Sequence, residues 1–380
     1  MDAVRWVAFA IGIGVVGLSV SSLIKMLVVP RGFASRLQIV VERTVRRAFL
    51  VVANRFDDYE RKDRVLAFLG PIALVAMLAA WLLMLFVGFA LMLWPLVPDG
   101  SLAEALRESG SAMLTLGFAP PSTGAVPVHL LAGASGLVVV ALLIAYLPTL
   151  YGSFNRRETM VTLLQSRAGA PAWGPEILAR HELVNLHDRL PDLYAEWERW
   201  AADVAESHTN YPTLIAFRSP HPLRSWIVAL LAVLDAAAMH LALCPRSAPT
   251  EARLCLRMGF ICLRSLADAV RIPYDPDPFP EDPIELTFEE FEGGVKRTLE
   301  AGFRTERSTE EAWPHFRGWR VNYEAVAYAL ADWVVAPPGP WTGDRSHLPG
   351  MAIVPQRPAD RKPDDALADR PKATSGEWRA

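Results

Sequence analysis

A chain of 380 residues has room for two or three domains. Its 52% hydrophobic content and mean hydropathy of +0.21 are high for a wholly soluble protein, while 21% charged residues is ordinary. A formal charge of −3 gives no sign of a nucleic-acid partner, and Cys244, Cys255 and Cys262, with no CxxC spacing, speak against a disulfide framework or zinc site and for buried thiols. The apolar residues are concentrated: residues 6–24, 65–98 and 109–155 contain no Asp, Glu, Lys or Arg. That pattern predicts an all-α membrane protein.

Residues 1–30 hold the first candidate transmembrane helix, from Trp6 to Val29, with Lys25 able to reach the interface near its end. Gly-Ile-Gly-Val-Val-Gly at 12–17 matches a dinucleotide fingerprint, but no strand precedes it. Close helix packing by small residues is the expectation there. With no small-residue cleavage site evident, the helix reads as a retained signal anchor.

Residues 31–64 carry nine Lys and Arg against five Asp and Glu. Within them, 36–56 mixes Leu37, Val40, Val41, Val45 and Phe49 with Arg43, Arg46 and Arg47. A helix in the inner headgroup layer, its arginines on anionic lipid, fits this mixture. A cytoplasmic helix packed on a soluble domain fits it too.

Residues 65–155 contain two further spans, 68–96 and 128–151, separated by a segment at 101–124 with a single Arg. The Lys and Arg excess in 31–64, and Arg156-Arg157 after the last span, place those parts in the cytoplasm. The N-terminus and the 101–124 segment are then outside. The setting is expected to be a cell (inner or plasma) membrane, crossed several times.

Residues 101–113 have helical spacing, with Ser101 as N-cap and Glu104 in the first turn. The C-terminal end of such a helix carries partial negative charge, which favours a cation. Thr115-Leu116-Gly117-Phe118 follow directly, and Ala119-Pro120-Pro121 close the segment. Irregular backbone at membrane depth survives only inside protein or along a water-filled path.

The order of span, short helix, T-x-G-F and span resembles the pore module of the two-transmembrane-helix/pore-loop potassium channel family. That family's filter reads T-[VIL]-G-[YF]-G, and its carbonyls and Thr hydroxyl replace the ion's hydration shell. The resemblance implies that Thr115, Leu116, Gly117, Phe118 and Ala119 line a filter for potassium or another monovalent cation. Ala119 stands where the family has its second Gly, and Leu114 where it usually has a second Thr. Gly133, Gly136 and Pro148 sit where an inner helix would bend, and so read as a gating hinge. One such segment per chain implies a homotetramer.

Residues 156–336 read as a helical cytoplasmic domain. Leu183, Leu186, Leu190, Leu193, Trp197, Trp200 and Val204 form a stripe at steps of three and four, interrupted at Pro191, where a second helix is expected to start. The 225–243 segment is apolar enough to span a membrane. Asp235 and His240 argue instead for the central buried helix of the soluble domain. Arg253, Arg257, Arg264 and Arg271 line one side of 251–271, either as a solvated face or as an anion or lipid contact. The polar stretches 206–208 and 217–221 suit structural hydrogen bonding.

Residues 274–283 read as a linker, 284–299 as an acidic helical segment and 321–335 as a final helix. The 337–380 tail, rich in Pro and Asp, is expected to be disordered.

The functional expectation is a passive monovalent cation channel with a cytoplasmic regulatory domain, dependent on membrane lipid and self-association. The alternative is a non-conducting membrane sensor or scaffold that keeps a degenerate pore module. No catalytic constellation, metal cluster or cofactor motif is evident, so an enzyme is not expected.

Overall fold

The computed structural model describes residues 2–27, 29, 35–98, 100–344 and 353. Among these residues the structure is helical throughout, without a strand. Three long helices, α1 (Asp2–Leu27), α4 (Leu69–Leu93) and α6 (Val126–Ala168), expose large apolar side chains such as Ile11, Leu83, Leu137 and Ile144. Each is long and apolar enough to cross a membrane. α1 packs along α4 through glycines. A methyl group at Gly12 would lie 2.6 Å from the Gly88 carbonyl oxygen, so the two backbones meet where neither carries a Cβ. A Cβ at Gly14 or Gly17 would meet nothing within 4 Å, so of the three fingerprint glycines only Gly12 is required by the packing of α1 on α4.

The 31–64 linker is two helices where one was expected over 36–56. α2 (Arg36–Ala53) starts at Ser35, whose hydroxyl caps the Gln38 N–H, and α3 (Tyr59–Leu66) starts at Asp58. Ser35 also contacts Ser22 of α1, and Ser22 accepts from the Trp81 indole of α4. Small hydroxyls thus fasten α1, α2 and α4 together at one end.

A short helix, α5 (Leu102–Met113), lies between α4 and α6 and packs on both. α6 does not stop near 151. It runs unbroken through Pro148 to Ala168, so the boundary expected at 155/156 falls inside a helix.

The remaining helices form a bundle: α7 (Gly174–Leu183), α8 (Leu190–Asn210), α9 (Trp226–Leu243), α10 (Thr250–Val270), α11 (Phe288–Glu300), α12 (Thr309–Arg320) and α13 (Glu324–Val334). α9 is its axis. By composition it is a fourth helix able to cross a membrane, yet every one of its residues is buried inside the bundle. Its Asp235 carboxylate accepts from Arg320 Nη1 and the Tyr323 hydroxyl, so the charge in the apolar helix is paired.

The predicted stripe splits. Pro191 lies in the first turn of α8, from which Leu190 to Val204 are buried, but Leu186 stays 45% exposed in the preceding turn. The three cysteines are free and buried. The helix over 309–320 was not anticipated, and its Ser308–Glu311 capping box was the available signal. The expected disordered tail begins too early. Trp341 and Thr342 are buried, and the Trp341 carbonyl accepts from Arg320 and Tyr328. Apart from residue 353, residues 345–380 lie outside the described residues.

Two arginines join bundle and spans. Arg157, on α6, is fully buried and donates to Glu158, His208 and the carbonyls of Leu214 and Phe217. Arg218 donates to Asp63 and the Tyr59 hydroxyl of α3 and to the carbonyls of Val334 and Val335.

Candidate functional site

α5 begins at Ser101, which occupies the N-cap position without a side-chain cap bond, and Glu104 sits in the first turn. Near its start the Trp94 indole donates to the Gly100 carbonyl. Its buried face is Ala105, Glu108, Ser109, Ser111, Ala112 and Met113, four of them small. Small side chains let it approach both long helices, and the Ser109 hydroxyl donates to the Phe86 carbonyl of α4 at 2.9 Å.

Glycines on α6 receive the other end. A Cβ at Gly136 would lie 2.3 Å from the Met113 carbonyl oxygen, and one at Gly133 would lie 3.4 Å from that of Ala112. Gly136 is ten residues into α6, or about 15 Å along the axis at ~1.5 Å per residue. The end of α5 therefore lies well below the start of α6. Gly133 and Gly136, expected as a hinge, form the notch that seats this end, and α6 is continuous across them. Pro148 is exposed and interior to the same helix.

The chain then turns irregular. Thr115 (φ +55°) and Gly117 (φ +67°) adopt left-handed backbone. That costs Thr115 about 1–2 kcal/mol and Gly117 nothing comparable. Three bonds to Ser111 hold the turn from behind. Its carbonyl accepts the Leu116 N–H at 3.0 Å and, in a longer bond of 3.5 Å, the Gly117 N–H, and its hydroxyl accepts the Ala119 N–H at 3.0 Å. The Ser122 hydroxyl donates to the Leu96 carbonyl, returning the chain to the end of α4.

Ala119 is buried at 3% exposure, whereas Leu114, Leu116 and Phe118 are 60%, 61% and 50% exposed. The Phe118 ring lies under the Arg107 guanidinium, 5.7 Å away. The structure thus brings Thr115 to Phe118 together as one exposed strip, free of ionisable side chains, and turns Ala119 inward. Ser111 was missed from the sequence. The signal for it was the Ser-Gly-Ser run at 109–111 in the last turns of the helix.

The two groups of arginines separate. Arg43, Arg46 and Arg47 of α2 line one cavity with the base of α4 and the bundle. Arg46 donates to the Trp333 carbonyl and its guanidinium lies 4.9 Å from that ring, so α2 packs on the bundle, the second of the two arrangements expected for it. Arg253 and Arg257 are exposed on α10, but Arg264 is used internally. It donates to the carbonyls of Pro276 and Asn322 and lies against Phe260 and Tyr274. These three do not converge on an anion site.

Of the polar stretch at 206–208, His208 is fully buried. Its Nε2 faces the donor-only guanidinium of Arg157 and must accept, which leaves the proton on Nδ1, within 2.9 Å of the Ser207 hydroxyl. Burial, and then the charge of Arg157, push its pKa well below the usual histidine value. His181 is lowered by burial as well. Among the described residues no group of three His, Cys, Asp or Glu side chains is placed to hold a metal ion.

Comparison of the chain with family models, with curated proteins and with solved structures finds no match.

Proposed function

We propose that the chain is one subunit of a homotetrameric membrane pore that passes potassium or another monovalent cation, with the helical bundle as its cytoplasmic regulatory part. One observation carries this reading. A short helix flanked by two long apolar helices ends about 15 Å below the start of α6, and irregular, exposed backbone follows at that depth. Half of a ~30 Å hydrocarbon core is about that distance. Lipid cannot satisfy such backbone, so it belongs beside protein or water.

Four copies around an axis cover the exposed Leu114–Phe118 strip and leave its carbonyls, with the Thr115 hydroxyl, to replace an ion's hydration shell. The C-terminal dipole of α5 favours the cation over an anion. The filter carries left-handed backbone at Gly117, and Ala119, held by Ser111, supports it from behind.

Because Gly133 and Gly136 seat the filter helix, any bend of α6 also moves the filter support. α6 continues into the bundle at Arg157, which gives the bundle a direct lever on the pore. The positive-inside bias of 31–64 and 156–157 puts the bundle in the cytoplasm and the start of α1 outside.

The test is potassium flux into liposomes carrying the wild-type chain or Gly117→Val. Folded tetramers of the variant should lose flux, since a second β-branched residue in left-handed backbone, beside Thr115, adds about 1–2 kcal/mol of strain to the turn. Unchanged flux in Gly117→Val would remove the filter assignment. Absence of flux in both, with tetramers intact, would favour a membrane sensor or scaffold.

A further inference from the structure

Where α2, the first turns of α4 and the bundle meet, they leave a cavity of 310 Å³. Its inner wall is apolar, built from Ile39, Leu69, Ala73 and Val270. Arg43, Arg46, Arg47 and Arg271 also line it. Arg46 is fixed by its bond to the Trp333 carbonyl and by that ring. Arg43, Arg47 and Arg271 are exposed, and among the described residues their guanidinium groups have no hydrogen bond or ion pair.

The one acidic side chain lining the cavity, Glu42, accepts from Gln38 Nε2 and the Thr213 hydroxyl. Burial raises its pKa, and with one carboxyl group against four guanidinium groups the lining is net positive. An excess of unpaired positive charge around a greasy hollow suits an amphiphile with an anionic head.

The position narrows the choice. Leu69 and Ala73 lie in the first turns of α4, at the end where the basic 31–64 segment joins the span, so the cavity is level with the membrane boundary. On the outward side of α2, Val40, Val51 and Val52 stay exposed, as in a helix lying against headgroups. We propose that this cavity binds one anionic phospholipid of the adjacent leaflet. Its phosphate is held by Arg43, Arg47 and Arg271, and part of an acyl chain fills the apolar hollow.

Such a lipid touches α2, α4, α10 and α13 at once, and so braces the joint between spans and bundle. The inference rests on α4 being a span and does not depend on ion conduction. Its test accordingly reads binding and not flux.

The full chain, stripped of lipid in a neutral detergent, is titrated with phosphatidylglycerol, with phosphatidylcholine of the same chains, or with inorganic phosphate. Native mass spectrometry counts bound lipid and melting temperature reports stabilisation. Phosphatidylglycerol should bind saturably at one per chain and raise the melting temperature, while the other two leave it unchanged. In Arg43→Ala/Arg47→Ala/Arg271→Ala, half-saturation should move up by roughly tenfold or more. Ala216→Leu, which fills the cavity and keeps every arginine, should weaken binding as well.

Equal stabilisation by phosphatidylcholine would overturn the charge assignment, and equal stabilisation by inorganic phosphate would overturn the lipid. Unchanged phosphatidylglycerol binding in either variant, with its lipid-free melting temperature intact, would overturn the site.

Discussion

Replacing Gly136 by Ala would set a methyl group 2.3 Å from the Met113 carbonyl oxygen and 3.2 Å from the Met113 Cα, both backbone atoms. Neither can rotate away, so α5 must shift along or off α6. Crowding of that kind in a packed core costs about 1–3 kcal/mol. Against it stands the gain of Ala over Gly inside a helix, about 1 kcal/mol. Gly133→Ala supplies the internal control. It has the same helix gain, but its methyl would meet the Ala112 carbonyl at 3.4 Å, an ordinary contact. Gly133→Ala should therefore be neutral or stabilising by up to about 1 kcal/mol, with Gly136→Ala below it by about 1–3 kcal/mol.

Because Met113 immediately precedes the Leu114–Ala119 turn, the Gly136 variant should also lose ion flux before it loses secondary structure. Thermal melting of the full chain in detergent, followed by tryptophan fluorescence, gives the first comparison, and liposome flux gives the second. Equal melting temperatures and equal flux in the two variants would refute the notch.

Three further outcomes follow from the same contacts. Arg157→Met should cost about 3–5 kcal/mol by stripping buried partners of their donor, whereas Arg156→Met, whose pair with Asp203 is exposed, should change stability by about 0–1 kcal/mol; similar melting for both variants would contradict the joint described for Arg157. Ser111→Ala leaves the buried Ala119 N–H without an acceptor and should cost about 1–3 kcal/mol, with faster amide exchange at Ala119 as the specific readout. His208 is held neutral by burial and by Arg157, so below about pH 6.5 the unfolded chain takes up a proton that the folded chain refuses. Stability should thus fall as pH drops from 7 to 5, and His208→Gln should remove up to about 1.4 kcal/mol per pH unit of that slope; an unaltered slope would contradict the buried neutral ring.

The sequence showed the long apolar helices because charge-free runs admit little else. It also placed Ser101–Met113 as a separate helix, and the structure begins that helix one residue later. Asp235 and His240 pointed to α9 as a buried bundle helix, and all its residues are buried; the Asp235 partner Arg320 lies 85 residues away, too far for any local pattern to reveal. Arg157 is the clearest miss. Read along the chain, Arg156-Arg157 is a basic pair ending a span. In space the first is exposed and the second is the most deeply held group at the joint.

The packing role of the glycines was hidden for a related reason. Helical Gly serves flexibility, close approach or both, and only the location of Met113 reveals the close approach. The tail boundary erred because Trp341 is anchored by Arg320 across the bundle, a contact that composition does not encode. The Ser111 bonds were equally out of reach, since they depend on the turn that Thr115 and Gly117 make.

The most direct test of the proposed pore is potassium and sodium uptake into liposomes containing the purified wild-type chain, with tetramers verified beforehand. The account predicts monovalent cation uptake that is abolished by Gly117→Val. Intact tetramers that pass neither ion, across a range of pH and lipid composition, would contradict it.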